Sequence, residues 1–430
     1  MSKNKLLFLI LLSVSLLFLG SCAKKETGSL TFMVGGAPSE VEYWSDLIGE
    51  FEKDSGIKVR IIRQPTDSDQ RRQGLVIPLE AGQSEPDVFL MDVIWIGQFA
   101  ASDWLEPLDP YLTREGFSIE PFFKKIVDYA DRYNKKLVAL PVYVDGGLLY
   151  YRKDLLKKYG YALPPRTWKE LLDYSLKIQE GERKENPDFY GFVWQGAQYE
   201  GLTCNFLEFA ASNGGGIVDL NGRLKIDSPE NIEALEFMSD LINKHKISPP
   251  NTYTEMREEQ VRSFFQRGNA LFERNWPYAW KLHEQEDSEV KGKVGIAPLP
   301  HFAGGKSVSA LGGWHVGISR YSDVKDDAWR LVEFICSYGT QKKLVLALGW
   351  NPGRKDVYED KEVRAQLPHL GVLENIFINA VARPNLPYYT QVSDALQRYV
   401  NASLSDTVKP SRSLYRAQQE AQRISETYNK

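Results

Sequence analysis

The sequence predicts an α/β fold in which a parallel sheet is covered by helices. Three observations predict it. Short apolar runs of strand character alternate with helical hydrophobic spacing through the first third of the chain. Repeated β-α-β units of this kind favour a parallel sheet, and such sheets bind ligands at the carboxyl ends of their strands. No internal repeat, low-complexity tract or flexible linker interrupts the pattern. Any second lobe must therefore be joined by strands crossing between the lobes, not by a string.

The elements follow in order. Lys3 and Lys5 precede an apolar run over residues 6–19, then Gly20, Ser21 and Cys22. The run is shorter than the roughly 20 residues a spanning helix needs, and its layout is that of a secretory signal. Leu19-Gly20-Ser21-Cys22 resembles a bacterial lipobox. It implies a lipoprotein signal peptide over residues 1–21, acylation at Cys22, and a polar tether over 22–28 that lipid chains hold to a membrane.

Residues 30–34 read as a strand opening into Gly35-Gly36. Val41, Trp44, Leu47, Ile48 and Phe51 then recur at helical spacing and stop before Gly56. Residues 58–62 and 88–91 are the next strands, the latter leaving at Asp92. The Gly35-Gly36 loop and Asp92 thus fall where a ligand is expected. Residues 137–151 carry two strand-like runs across Pro141. Afterwards the pattern turns helical, with a capping box at Thr167-Trp168-Lys169-Glu170 and a helix start at Ser228-Pro229-Glu230. Asn213-Gly214-Gly215-Gly216 ends a helix. Residues 316–319 return to strand character, and 328–335 are helical.

The 430 residues are 43% hydrophobic and 26% charged with a net charge of −4, the profile of a globular chain without the basic excess of a nucleic-acid binder. Cys22, Cys204 and Cys336 are too few for a disulfide framework. Aromatic residues make up 12%, which fits either a large aromatic core or a surface that stacks on sugars.

Several enzyme signatures are missing. Gly304-Gly305-Lys306-Ser307 resembles the end of a P-loop, but its first glycine falls on Pro300, so an exposed turn is expected. Neither Gly-x-Ser-x-Gly nor His-Glu-x-x-His occurs. His245, His283, His301, His315 and His369 lack ligand spacing, and no metal or cofactor is expected. What remains is carboxylates and arginines beside aromatics. Carboxylates accept from sugar hydroxyls, arginine donates to others, and flat rings cover the apolar sugar faces. Asn275-Trp276-Pro277-Tyr278-Ala279-Trp280 follows a strand at 270–274, and its tryptophans suit core and ligand surface equally. Gly312-Gly313-Trp314-His315 puts another tryptophan in an expected glycine-rich turn.

At these residues the chain resembles the extracellular solute-binding proteins of ABC sugar importers, of the maltose-binding type and nearest its trehalose/maltose-binding members. The likeness spans nearly all the mature chain. It runs through Gly35-Gly36-Ala37-Pro38, Pro86-Asp87-Val88-Phe89-Leu90-Met91-Asp92, Leu140-Pro141-Val142-Tyr143 and Gly146-Gly147-Leu148-Leu149-Tyr150-Tyr151-Arg152-Lys153-Asp154. It continues through Gly191-Phe192-Val193-Trp194-Gln195-Gly196, Gln198-Tyr199-Glu200-Gly201-Leu202, Arg274 to Trp280, Leu311 to His315 and Arg383-Pro384.

The resemblance implies the two-lobed periplasmic-binding-protein fold, class II type, with a hinge of crossing strands. Residues 29–142 and 313–352 would form the N-terminal lobe, and 143–312 with 353–430 the C-terminal lobe. Carried over residue by residue, Glu40, Thr66, Arg71 and Asp92 would line the pocket from the first lobe. Tyr143 and Asp145 would stand at the first crossing, and Trp276, Tyr278, Trp314 and Arg383 would complete it. Val144 and Gly146, flanking Asp145, leave the local shape open. Gln198, Tyr199 and Glu200 match the family without an assigned role. The implied function is capture of an α-linked disaccharide, trehalose or maltose, by a lipid-anchored monomer that delivers it to ABC permease subunits and catalyses nothing. The alternative is a secreted glycoside hydrolase using Asp92 and Asp145 as its carboxylate pair. A third reading is a surface lipoprotein that is purely adhesive and binds no small molecule.

Overall fold

The computed structural model describes residues 29–219, 221–367, 370–378 and 380–428. The leader, the tether and Cys22 lie outside them, as does His369.

The first sheet grows from the alternation seen in the sequence. Strand β1 (Leu30–Gly35), buried along its whole length, pairs in parallel with β2 (Val59–Gln64) and β3 (Val88–Asp92). Helix α1 (Pro38–Ser55) connects β1 to β2. It buries Val41, Trp44, Leu47, Ile48 and Phe51, and it stops at Gly56, whose φ of 75° suits a residue without a Cβ. Helix α2 (Ser68–Glu80) is capped by Asp67, which accepts a hydrogen bond from the Gln70 N–H at 3.0 Å.

Besides a short hairpin of Arg132–Tyr133 and Lys136–Leu137, the later strands are β4 (Leu140–Gly146), β5 (Leu148–Arg152), β6 (Tyr190–Val193), β7 (Ala270–Asn275), β8 (Val294–Ala297) and β9 (Leu311–Ile318). The first sheet has the order β2-β1-β3-β9-β4, with β9 antiparallel to both its neighbours. The sheet is therefore mixed, not purely parallel, because a strand from late in the chain inserts between β3 and β4. The second sheet runs β8-β5-β7-β6, and only β6 and β7 are parallel.

Two local expectations need correction. Pro141 does not separate two strands; it lies inside β4, and the break comes at Gly147. Strand β4 is the edge of its sheet and Pro141 sits at a register shift, where a missing N–H leaves no ladder bond unmade. Gly312-Gly313-Trp314-His315 is likewise not a turn but the first half of β9. Gly313 has φ of +134°, and a Cβ there would lie 2.6 Å from the Tyr143 carbonyl oxygen, so the glycine serves a close strand approach.

The second sheet is covered by α3 (Trp168–Glu182), α4 (Glu200–Ser212), α5 (Pro229–Asn243) and α6 (Glu258–Gln266). The Thr167 hydroxyl accepts from the Glu170 N–H at 3.1 Å while Glu170 accepts from the Thr167 N–H at 3.2 Å, which completes the capping box. Ser228 caps α5 ahead of Pro229. Trp168 stacks on Phe209 at 3.9 Å and donates its indole N–H to Ser212, so its burial leaves no polar atom unmet. Burying a side chain of this kind stabilises by roughly 1.5–3 kcal/mol. The chain ends in α7 (Tyr389–Leu404) and α8 (Pro410–Tyr428), which pack on α4 and α5.

The chain crosses between the sheets at Gly147, again ahead of β9 and a third time between β9 and α7. One apolar cluster joins Val144 and Leu311 of the first sheet to Leu148 and Val193 of the second. Gly147 has no room for a side chain. A Cβ there would meet Glu208 Oε1 at 2.0 Å and Arg274 Nη2 at 2.5 Å, members of a buried ion pair at the crossing. Cys204 and Cys336 are both buried and free.

Candidate functional site

Between the two sheets lies a cavity of about 620 Å³, and all ten residues expected there line it. Glu40 comes from the first turn of α1, and Thr66 and Arg71 from the loop after β2 and the start of α2. Asp92 ends β3, Tyr143 and Asp145 lie on β4, and Trp314 lies on β9. Trp276 and Tyr278 follow β7, and Arg383 precedes α7. The carboxyl ends of β1, β2 and β3 all open on the cavity, as the sheet rule requires.

The aromatic walls are fixed by their neighbours. The Arg71 guanidinium lies 3.4 Å from the centre of the Trp314 ring, which also meets Trp95 edge to face at 5.3 Å. Tyr143 packs on Trp350 at 4.2 Å. Trp276 rests on the Arg274 guanidinium at 4.0 Å. A Cβ on Gly312 would come within 3.1 Å of the Trp276 ring, so this glycine makes room for the indole. The Tyr278 hydroxyl donates to Glu259 at 2.6 Å.

The charged groups are arranged around these rings. Glu40 accepts from the Ala37 N–H at 2.7 Å and from the Trp350 indole at 3.1 Å, yet burial still raises its pKa. Arg383 donates to Glu200 at 2.8 Å, to the Leu311 carbonyl at 3.2 Å and to Asp92 at 3.4 Å. Glu200 also accepts from Tyr389 at 2.7 Å and Ser393 at 2.5 Å. Asp145 is pushed up to about 7, by burial first and then by the Asp92 and Glu40 carboxylates. Arg71 is pushed down to about 10 by burial. Its Nε and Nη2 meet no acceptor among the described residues, although the side chain is only 4% exposed. Buried polar atoms are almost always hydrogen-bonded, so these two N–H groups point to an occupant of the cavity. Among the described residues no group of His, Cys, Asp and Glu could hold a metal ion.

The family of bacterial extracellular solute-binding proteins matches this chain over residues 37–342. The chain belongs to that family. This solute-binding protein is 39% identical over 362 residues to a probable ABC transporter-binding protein of Deinococcus radiodurans, covering 83% of the chain and 84% of the relative. The maltose-bound structure of MalE3 from T. maritima superposes with a TM-score of 0.87 at 42% identity, covering 92% of this chain and 99% of that one. An ABC transporter solute-binding protein from Thermotoga lettingae, bound with α-D-tagatose, gives a TM-score of 0.83 at 30% identity, covering 93% and 100%. The fold is that of the two-lobed binding proteins, and the family is extracellular, so the protein acts outside the cytoplasm. No described helix is long and apolar enough to cross a membrane. The hydrolase alternative finds no support, because the family and its relatives are binding proteins, not enzymes.

The cavity of the solute-binding protein is also lined by residues that carry no motif in the sequence. Trp350 lies in the 349–354 segment that returns beside β4, where the Val144 N–H donates to the Asn351 carbonyl at 2.9 Å. Asp67, Asp69, Arg257, Glu258 and Glu259 stand at the starts of α2 and α6, where acidic residues read as ordinary helix-end charges. Of the three residues without a role, Tyr199 and Glu200 line the cavity, whereas Gln198 is exposed and does not.

Proposed function

We propose that this solute-binding protein captures an α-linked disaccharide, trehalose or maltose, between its lobes and hands it to the permease subunits of an ABC importer. The observation that carries the reading is the cavity wall itself. The rings of Trp276 and Trp314 stand on it together with Asp92, Asp145 and the unpartnered N–H groups of Arg71. A pyranose presents the matching surface, with apolar C–H faces and a rim of hydroxyls that both donate and accept. The volume of about 620 Å³ suits a disaccharide-sized ligand. The maltose-bound T. maritima relative supports the same class.

In this reading Glu40, Thr66, Arg71, Asp92, Tyr143, Asp145, Trp276, Tyr278, Trp314 and Arg383 contact the sugar. The lobes divide as 29–142 with 313–352 and 143–312 with 353–430, and a single chain is the working unit. Cys22 carries the lipid that keeps the protein at the membrane, as its lipobox supports. A thermal-shift screen over mono-, di- and trisaccharides tests the function, because a ligand that binds only the folded state raises the melting temperature. The largest rise is expected with trehalose or maltose, and no rise with any sugar would refute the reading. The anchor is tested by Cys22→Ala, which should release the protein from membranes; a variant still membrane-bound after a salt wash refutes the anchor alone.

A further inference from the structure

The cavity carries unbalanced charge. Its wall holds eight carboxyl side chains against three guanidinium groups, with no lysine or histidine. Two of the guanidiniums are already neutralised, Arg257 by Asp67 and Arg383 by Glu200 and Asp92. The third, Arg71, lies over the Trp314 ring at 3.4 Å with Glu40 and Asp92 acting on it. Its unpartnered N–H groups therefore face a region already rich in negative charge and suit a hydroxyl or ring oxygen. Asp69 on α2 and Asp145 on β4 form no ion pair among the described residues, and both have raised proton affinity. Burial comes first in each case, followed for Asp69 by Glu200, Asp67 and Asp394, which help push it up to about 6.

We propose that the cleft selects its glycoside by charge, admitting neutral sugars, binding those with a protonated amino group at least as tightly, and excluding those with a phosphate or carboxylate. The proposal deepens the sugar-binding reading and rests on it. Low-dielectric walls focus the field of the surplus carboxylates into the cavity. An anion entering there loses its water and finds the single unpaired guanidinium of Arg71 against eight carboxyl side chains, whereas an ammonium finds Asp69 or Asp145. Aromatic stacking is indifferent to the substituent's charge, so it cannot rescue the anion.

The test is calorimetric titration of the purified protein with a matched set built on trehalose and on maltose. Each set contains the parent, its 6-amino-6-deoxy, its 6-acetamido-6-deoxy and its 6-phosphate derivative. The phosphate is expected to bind on the order of a hundredfold or more weaker than the neutral acetamide, a gap that added salt narrows. The amine is expected to match or exceed the parent. Asp69→Asn should shrink the ratio between parent and phosphate. Equal affinity for phosphate and acetamide, or an amine weaker than its parent, overturns the charge selection while leaving sugar binding intact. Failure of both parents and all their derivatives to bind overturns the sugar-binding reading and this proposal with it.

Discussion

Asp67 and Arg257 pair their charges from opposite lobes at the rim of the cavity. Asp67 is the residue that caps α2, and the Arg257 guanidinium lies over the Tyr199 ring at 4.7 Å immediately before α6. Separating the two sheets would break the pair, so it favours the arrangement in which they stand together.

Loosening this pair should speed release of the ligand more than it slows capture. A partly exposed ion pair is worth about 0.2–1 kcal/mol. Arg257→Gln or Asp67→Asn is therefore expected to raise the dissociation rate by about two- to fivefold at most. Stopped-flow release from both single variants and the double variant checks this. The double variant should resemble either single one; fully additive effects would show that the two residues act separately.

Trp276 offers its face to the cavity while Arg274 supports the other side. Trp276→Ala removes a burial contribution of about 1.5–3 kcal/mol, so disaccharide affinity should fall by about ten- to hundredfold. Gly312→Ala should act in the same direction by displacing the indole. Titration with melting curves alongside separates lost affinity from lost folding.

How much of this was legible in the sequence depended on how local the signal is. Helix α1 and the Thr167 capping box were readable because period and cap lie within a few residues of one another. The ten pocket residues came from the family resemblance: Asp92, Tyr143, Trp276, Tyr278, Trp314 and Arg383 lie in its ordered motifs, whereas Glu40, Thr66, Arg71 and Asp145 lie outside them. The insertion of β9 beside β3 was not, since pairing between residues more than 200 positions apart leaves no local trace. Gly312-Gly313 looked like a turn for the same reason, because the close approach of Tyr143 that demands glycine is a tertiary fact. The acidic rim at Asp67, Asp69, Glu258 and Glu259 was hidden because helix starts favour acids wherever they occur.

Binding should depend on pH through Asp145. Its pKa in the protein is about 7, above the ordinary aspartate value. Sugar hydroxyls donating to Asp145 would need its ionised form, so affinity should fall as pH drops through 7, by roughly tenfold between pH 7.5 and 5.5. The stability of the ligand-free protein should move the opposite way. A raised carboxyl pKa contributes stability that is full below the unfolded pKa near 3.8 and lost as pH rises through about 7. Asp145→Asn should flatten both profiles, and titrations across that range test it.

The crossing at Gly147 relies on the buried Arg274–Glu208 pair, both members 1% exposed. Glu208 Oε1 also accepts from the Ala310 N–H at 3.1 Å, beside the strand that re-enters the first sheet. Glu208→Ala leaves a buried guanidinium unpaired and should cost about 3–5 kcal/mol of folding stability. Chemical denaturation of the variant measures this, and a loss under 1 kcal/mol would argue that the pair relaxes into solvent (roughly the worth of an exposed ion pair).

The proposed disaccharide site stands or falls with Trp276 and Asp145. Isothermal titration of the purified protein with trehalose and with maltose, beside Trp276→Ala and Asp145→Asn, tests it most directly. One ligand per chain is expected for at least one of the two sugars, with an affinity loss of about tenfold or more in each variant at unchanged fold. Absence of heat for both sugars, or wild-type affinity in both folded variants, would contradict it.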